Sequence, residues 1–135
     1  MKATELDINY IVDLGREMHR ESNYSAYNYD EDKMAELVRY LISNGFAFVE
    51  DGGFFIGVMS QHFFGYDYFT TDLALYVEKE KRGTGIAMSL IMEYIKEAKE
   101  LGISDIRIGN STGNVGDLYE RCGFTHVGGV YVYRS

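Results

Sequence analysis

Apolar residues recur at every third or fourth position over residues 7–20, where Ile8, Ile11, Val12, Gly15 and Met18 share one face. That spacing predicts a helix, with Asp7 placed as its N-cap. The polar, tyrosine-rich stretch ESNYSAYNYDED predicts a loop. A second helix is expected where Met34, Leu37, Val38, Leu41 and Ile42 repeat at helical spacing, with Gly45 as its stop. The period then changes. FAFVEDGGFFIGVMS reads as two strands joined at Asp51-Gly52-Gly53, a hairpin signal. YFTTDLALYV reads as a further strand with Phe69, Thr71, Leu73, Leu75 and Val77 on one face. From Ile86, the residues Leu90, Ile91, Tyr94, Ile95, Ala98 and Leu101 form a broad apolar stripe, closed by Gly102. SDIRIG predicts a short strand, NVGDLYERC a short helix, and FTHVGGVYVYR a final strand or hairpin.

The order is helix, helix, three strands, helix, strand, helix, strand. It predicts an α/β fold (α+β in some schemes), a mixed and mostly antiparallel sheet flanked by helices. The helix over 83–101 links the strand at 68–78 to the strand at 104–109, so those two are expected to lie parallel. Ligands bind outside the carboxyl ends of strands in open α/β sheets. The stretch VEKEKRGTGIA occupies that place.

At 135 residues and 15.4 kDa the chain is expected to form one domain over 1–135. A hydrophobic content of 46% is that of a globular chain. The net charge of −8 argues against a general nucleic-acid binder and suits a cationic partner such as an amine. The single cysteine, Cys122, cannot form an internal disulfide, which fits a reducing compartment. No apolar run approaches the length of a membrane span, so a cytoplasmic protein without a membrane partner is expected.

The first N–H groups of a helix lack intrahelical partners, and the helix dipole adds partial positive charge there. Glycines let an anion approach the backbone without a Cβ in the way. Arg82, Gly83, Thr84, Gly85, Ile86 and Ala87 therefore offer several N–H donors, a hydroxyl and a guanidinium near one point. This suits a pyrophosphate; the alternative is a glycine-eased turn that binds nothing. Two phosphate motifs are excluded. The P-loop string G-x-x-x-x-G-K-[ST] is absent, and G-x-G-x-x-G/A fails because Met88 stands three residues after Gly85.

Arg82-Gly83-Thr84-Gly85-Ile86-Ala87 resembles the Gln/Arg-x-x-Gly-x-Gly/Ala signature of the GNAT superfamily of N-acetyltransferases. LALYV just upstream and LYERCGF downstream are similar to that family's strand before the signature and to its LYxxxGF segment. The element order agrees over nearly the whole chain, with a short or vestigial first strand around KATEL.

The resemblance implies a V-shaped splay between the two parallel central strands. Pantetheine of acetyl-CoA, the acetyl donor, would hydrogen-bond to the backbone of Leu75, Tyr76 and Val77 like an extra strand. Its pyrophosphate would rest on the N–H groups of residues 82–87. A backbone donor near Leu75 would stabilise negative charge on the thioester oxygen. Tyr119 falls on the family's tyrosine, which is expected to protonate the departing thiolate. A phenol with a pKa of about 10 can protonate a thiolate whose acid has a pKa of about 8.5. The family often carries an asparagine seven residues before that tyrosine, where this chain has Thr112. Asn114 or Asn110 would take over the cofactor contact, and Asn114 serves equally as an N-cap of the last helix.

A general base is less plain. Asp72, alternating away from the Leu73 and Leu75 face, is one candidate, with Glu78 and His62 as others. Cys122 has no activating histidine at useful spacing, and His19, His62 and His126 are scattered and suggest no metal site. Tyr24, Tyr27 and Tyr29 would border the acceptor side and could hold a cationic amine. The activity expected is direct transfer of acetyl to a primary amine in a ternary complex, the acceptor being a small molecule or a protein amine. The alternative is a CoA-binding or protein-interaction module without turnover. VGGVYVY offers a strand-pairing edge for a homodimer.

Overall fold

The computed structural model describes residues 1–109 and 115–135. Helix α1 (Ile8–Glu21) buries Ile8, Ile11, Val12, Leu14 and Gly15, the stripe that its spacing demands. Asp7 holds the N-cap position, but its side chain makes no cap hydrogen bond to α1. The Asp7 carboxylate reaches back instead, accepting from the Thr4 N–H at 2.8 Å and closing a capping box on the preceding 3-10 turn, Glu5–Asp7. Helix α2 (Glu31–Asn44) is capped by Asp30, whose carboxylate accepts from the Lys33 N–H at 3.0 Å. It stops at Gly45, where a Cβ would lie 2.7 Å from both the Gly57 carbonyl and Leu41 Cδ2.

Strands β1 (Phe46–Glu50), β2 (Gly53–Gln61), β3 (Tyr68–Val77) and β4 (Asp105–Ile106) form one sheet in that order. β1–β2 and β2–β3 are antiparallel, and β3–β4 is parallel. Glu50 faces Gly53 across the Asp51-Gly52 turn, where Gly52 supplies a φ of +95°. Helix α3 (Ile86–Glu100) makes the crossover from β3 to β4, and Gly102 at φ +80° closes it. Helix α4 (Gly116–Arg121) follows. The vestigial first strand is a short bridge on the β1 edge: Lys2 pairs with Phe48, and the Ala3 N–H donates to the Ala47 carbonyl at 2.9 Å.

A core lies on each face of the sheet. Phe54, Ile56, Ala74 and Tyr76 pack with α1 and α2, whereas Phe46, Phe48 and Phe55 pack with Leu90, Tyr94 and Ala98 of α3. Burying each of the larger of these side chains, such as Phe54, Ile56 or Leu90, contributes about 1.5–3 kcal/mol. The Tyr94 ring meets Phe46 edge-on at 5.2 Å and lies 4.3 Å from Phe55.

Four expectations change. The single face read for β3 is broken by a register shift: Ile56 opposes Ala74 but Gly57 opposes Asp72, leaving Leu73 extra. Beyond that bulge Ala74 and Tyr76 turn to α1 and α2, while Leu75 turns to α3. The α3 stripe ends before Leu101, which is 57% exposed. The strand expected over 104–109 pairs only at Asp105 and Ile106. The last strand is absent: residues 124–135 form no regular element, and Val130, Tyr131 and Tyr133 are at least 90% exposed. β-propensity is realised only against a partner edge, and this segment lies against none among the described residues. Among the described residues no helix is long and apolar enough to cross a membrane.

Candidate active site

β3 and β4 run together for only Phe69–Asp105 and Thr70–Ile106, extended by the Arg107 N–H donating to the Thr70 carbonyl at 2.8 Å. The Tyr94 hydroxyl of α3 locks this junction, bonding both Thr70 Oγ1 and the Arg107 carbonyl at 2.8 Å. Beyond it the backbone ladder ends. The next link is a side chain, with Asp72 Oδ1 accepting from the Gly109 N–H at 2.7 Å. From Asp72 to Val77 the edge of β3 away from β2 carries no strand among the described residues. This is the opening between the two parallel strands that the family resemblance implied.

Tyr119 closes the apex of this opening from α4. Its hydroxyl donates to the Gly109 carbonyl at 2.9 Å and its ring is buried. A cavity of about 20 Å3 is lined by Met18, Asp72, Leu73, Ala74, Leu75, Gly109 and Tyr119. That is room for about one water molecule. Asp72 and Tyr119, chosen from sequence for different reasons, thus line one cavity with the bulge at Leu73. Burial pushes the Asp72 carboxyl above its ordinary value of 3.8, against the stabilising hydrogen bond from Gly109. Burial, aided by the nearby Asp72 carboxylate, also pushes the Tyr119 phenol up, so it holds its proton throughout the physiological range.

At the carboxyl end of β3 the chain turns through Gly83 and Gly85, at φ +83° and +89°, before entering α3. Only glycine adopts that backbone without strain, and a Cβ at either position would meet nothing within 4 Å, so the turn faces open space. α3 has no side-chain cap. Among the described residues no group accepts from the N–H groups of Gly83, Thr84, Gly85, Ile86, Ala87 or Met88. The Thr84 hydroxyl donates to the Lys81 carbonyl. A row of unpaired donors at a helix N-terminus is the chemistry that a pyrophosphate requires. The donor set therefore fits coenzyme A.

The Arg82 side chain does not join that row. Its Nε donates to the Val77 carbonyl at 2.9 Å and Nη2 to Glu21 Oε1 at 2.9 Å, with the guanidinium over the Tyr76 ring. Glu21 also accepts from the Tyr76 hydroxyl. Sequence reading missed Glu21 and Met18, because their roles depend on how α1 crosses β3. A cue existed in the acid ending an amphipathic helix.

His62 sits at the other end of β3, with Nε2 3.0 Å from Asp105 Oδ2, away from the cavity. The Glu78 N–H donates to Gly52 beside the hairpin turn. Tyr29 packs on α1, donating to the Val12 carbonyl at 2.7 Å, whereas Tyr24 and Tyr27 are exposed. Burial raises the Cys122 thiol, which keeps it protonated and unsuited to nucleophilic attack. Asn110, Thr112 and Asn114 lie outside the described residues.

The family model described as an acetyltransferase (GNAT) domain matches residues 43–126. A search of curated protein sequences finds no match. Among solved structures, the chain is similar to a predicted acetyltransferase with acetyl-CoA from Clostridium acetobutylicum, at a TM-score of 0.73 and 17% identity over 99% of this chain and 94% of that one. It is also similar to a ribosomal-protein-alanine N-acetyltransferase from Brucella melitensis biovar Abortus 2308, at a TM-score of 0.68 and 20% identity over 98% and 96%. An aminoglycoside acetyltransferase from an uncultured soil metagenomic sample matches at a TM-score of 0.72 and 15% identity over 98% and 92%. At such identities these likenesses speak to the fold alone. The family match covers more than half of the chain, and with it the turn at Gly83–Gly85, the β3–β4 opening and Tyr119; the chain belongs to the GNAT acetyltransferase family.

Proposed function

We propose that this single domain is an N-acetyltransferase that moves acetyl from acetyl-CoA directly to a primary amine, small-molecule or protein-borne, in a ternary complex. Acetyl-CoA, the donor of this family, supplies an acetyl group activated as a thioester. The chain's residues do the rest. The unpaired N–H groups of Gly83 to Met88 bind the pyrophosphate, whereas the Arg82 N–H is taken by the Lys79 carbonyl, and the backbone of Leu75, Tyr76 and Val77 binds pantetheine along the open edge of β3. A backbone donor near Leu75, beside the bulge, offsets charge developing on the carbonyl oxygen. Asp72 takes the proton that the attacking amine must lose, and burial makes it a stronger base than an ordinary aspartate. Tyr119 gives its proton to the leaving sulfur, exchanging the Gly109 carbonyl for the thiolate. Asn114 is assigned a further cofactor contact on sequence grounds alone. The net charge of −8 favours a cationic acceptor.

The observation that carries this reading is the meeting of Asp72, Tyr119 and the β3 bulge at the apex of an opening whose far end is the unpaired N–H row. One feature favours the rival, a CoA-binding module without turnover: the Tyr119 proton is already committed to Gly109. Incubation with acetyl-CoA and a panel of primary amines, read by mass spectrometry, separates the two. An amine gaining an acetyl group supports the enzyme; CoA binding with no amine acetylated supports the module.

A further inference from the structure

Glu21 ends α1 with its carboxylate between two groups of the donor side. One oxygen accepts from Arg82 Nη2 at 2.9 Å and the other from the Tyr76 hydroxyl. Arg82 is held twice more, by the Val77 carbonyl at 2.9 Å and by the face of Tyr76 at 5.6 Å. The side chain that opens the glycine turn is thereby folded back onto the end of β3. Three elements meet at one carboxylate: α1, β3 and the turn. Met18, three residues earlier on α1, lines the cavity with Asp72 and Tyr119. A shift of α1 is therefore felt at the cavity and at the turn together.

We propose that Glu21 is a positioning residue for the cofactor turn, holding Arg82 against β3 so that the N–H row of Gly83 to Met88 stands ready for the pyrophosphate. This rests on the acetyl-CoA reading above. Beyond the Lys81–Asp51 ion pair at 2.9 Å, which ties the preceding segment to the hairpin, the turn has little else to fix it. Gly83 and Gly85 carry large conformational freedom, and the Thr84 hydroxyl bonds only within the turn. Without Glu21, Arg82 keeps one backbone acceptor, and ordering of the turn becomes a cost of binding. Glu21 acts through Arg82 and Tyr76, and its loss falls on cofactor affinity rather than on the chemical step.

Titration calorimetry with CoA on the full chain tests this, using the wild type, Glu21→Ala, Arg82→Ala and the double variant, with steady-state kinetics alongside. Glu21→Ala is expected to weaken CoA binding about tenfold, the loss of one charge-assisted hydrogen-bond pair. KM for acetyl-CoA rises in step, while kcat at saturating acetyl-CoA changes far less. The double variant is expected to bind within about twofold of the weaker single variant, since the two side chains act as one unit. Glu21→Gln keeps one acceptor oxygen and is expected to recover part of the loss; it also carries the test should the alanine variant fail to fold. Affinity in Glu21→Ala and Glu21→Gln equal to the wild type overturns the inference. Tighter binding also does, because Arg82 would then grip the pyrophosphate once released. Additive losses in the double variant overturn it too. A wild type that binds no CoA overturns this inference and the functional reading together, whereas the other outcomes leave that reading standing.

Discussion

Asp72 and Tyr119 hold opposite sides of one residue: the Asp72 carboxylate accepts from the Gly109 N–H at 2.7 Å, and the Tyr119 hydroxyl donates to the Gly109 carbonyl at 2.9 Å. Gly109 is where the chain leaving β4 parts from β3. The two groups proposed for proton transfer therefore also pin the residue at the apex of the opening. Replacing Tyr119 with Phe removes the proposed proton donor and one hydrogen bond. Turnover is expected to fall by roughly a hundredfold or more, the usual worth of a positioned acid. CoA affinity by calorimetry should stay near that of the wild type, and stability should drop by about 1 kcal/mol.

Asp72→Asn tests the base separately from the structural role, because the amide oxygen can still accept from Gly109. Melting temperature is expected to hold while kcat/KM falls by roughly a hundredfold or more. The pH profile adds a second readout. Asp72 must be ionised to take a proton, and burial places its pKa above 3.8, so kcat/KM of the wild type should rise with pH through that raised value. The acidic limb should disappear in Asp72→Asn. A limb that survives assigns the base elsewhere.

At Gly85, space and backbone conformation make different demands. A Cβ there meets nothing within 4 Å, yet φ is +89°. Gly85→Ala is thus expected to cost about 1–2 kcal/mol of stability through strain alone. Gly85→Glu puts a negative charge beside the N–H row, and calorimetry should show CoA binding abolished while circular dichroism shows the fold retained.

Much of this site was legible in the sequence, for a physical reason. RGTGIA encodes a backbone conformation, and the positive φ at Gly83 and Gly85 is what two glycines before an apolar stripe specify. The placement of Tyr119 at the cavity was legible through LYERCGF and the family likeness, since it depends on position rather than on local pattern. Asp72 came from alternation, and alternation then failed one residue later. A bulge inserts a residue without a sequence signal as plain as Asp51-Gly52, so the shift at Leu73 could not be read. Glu21 and Met18 were illegible because a helix pattern names its buried face but not what crosses beneath its end. The C-terminal segment shows the converse error, strong β-propensity taken for a strand where no edge receives it.

The junction that keeps β3 and β4 together below the opening rests on Tyr94. Its hydroxyl serves Thr70 Oγ1 and the Arg107 carbonyl, and both Tyr94 and Thr70 are fully buried. Tyr94→Phe leaves those two groups short of a partner, at a cost of about 1–3 kcal/mol in urea unfolding. A larger opening at the apex should follow, read as faster hydrogen exchange at the Gly109 N–H.

Acid should weaken the fold at two carboxylates. Hydrogen bonds from Tyr76 and then Arg82 hold Glu21 below its ordinary 4.5, and Arg107 chiefly holds Asp105 below 3.8. A depressed native pKa means the unfolded chain binds more protons between the two values, so the stability present above the ordinary value is lost as pH falls from there through the lower native value. Both groups are partly exposed, and solvent screening keeps each contribution small. Melting temperature is expected to decline below the ordinary carboxylate range, and the decline should be shallower in Glu21→Gln.

The most direct test of the central claim is thiol release from acetyl-CoA, followed with a thiol reagent across a panel of primary amines. The wild type is expected to release thiol only when an acceptor amine is present, and Tyr119→Phe to lose most of that rate. Thiol release that no amine raises above the amine-free rate, from a protein that binds CoA, would contradict the claim.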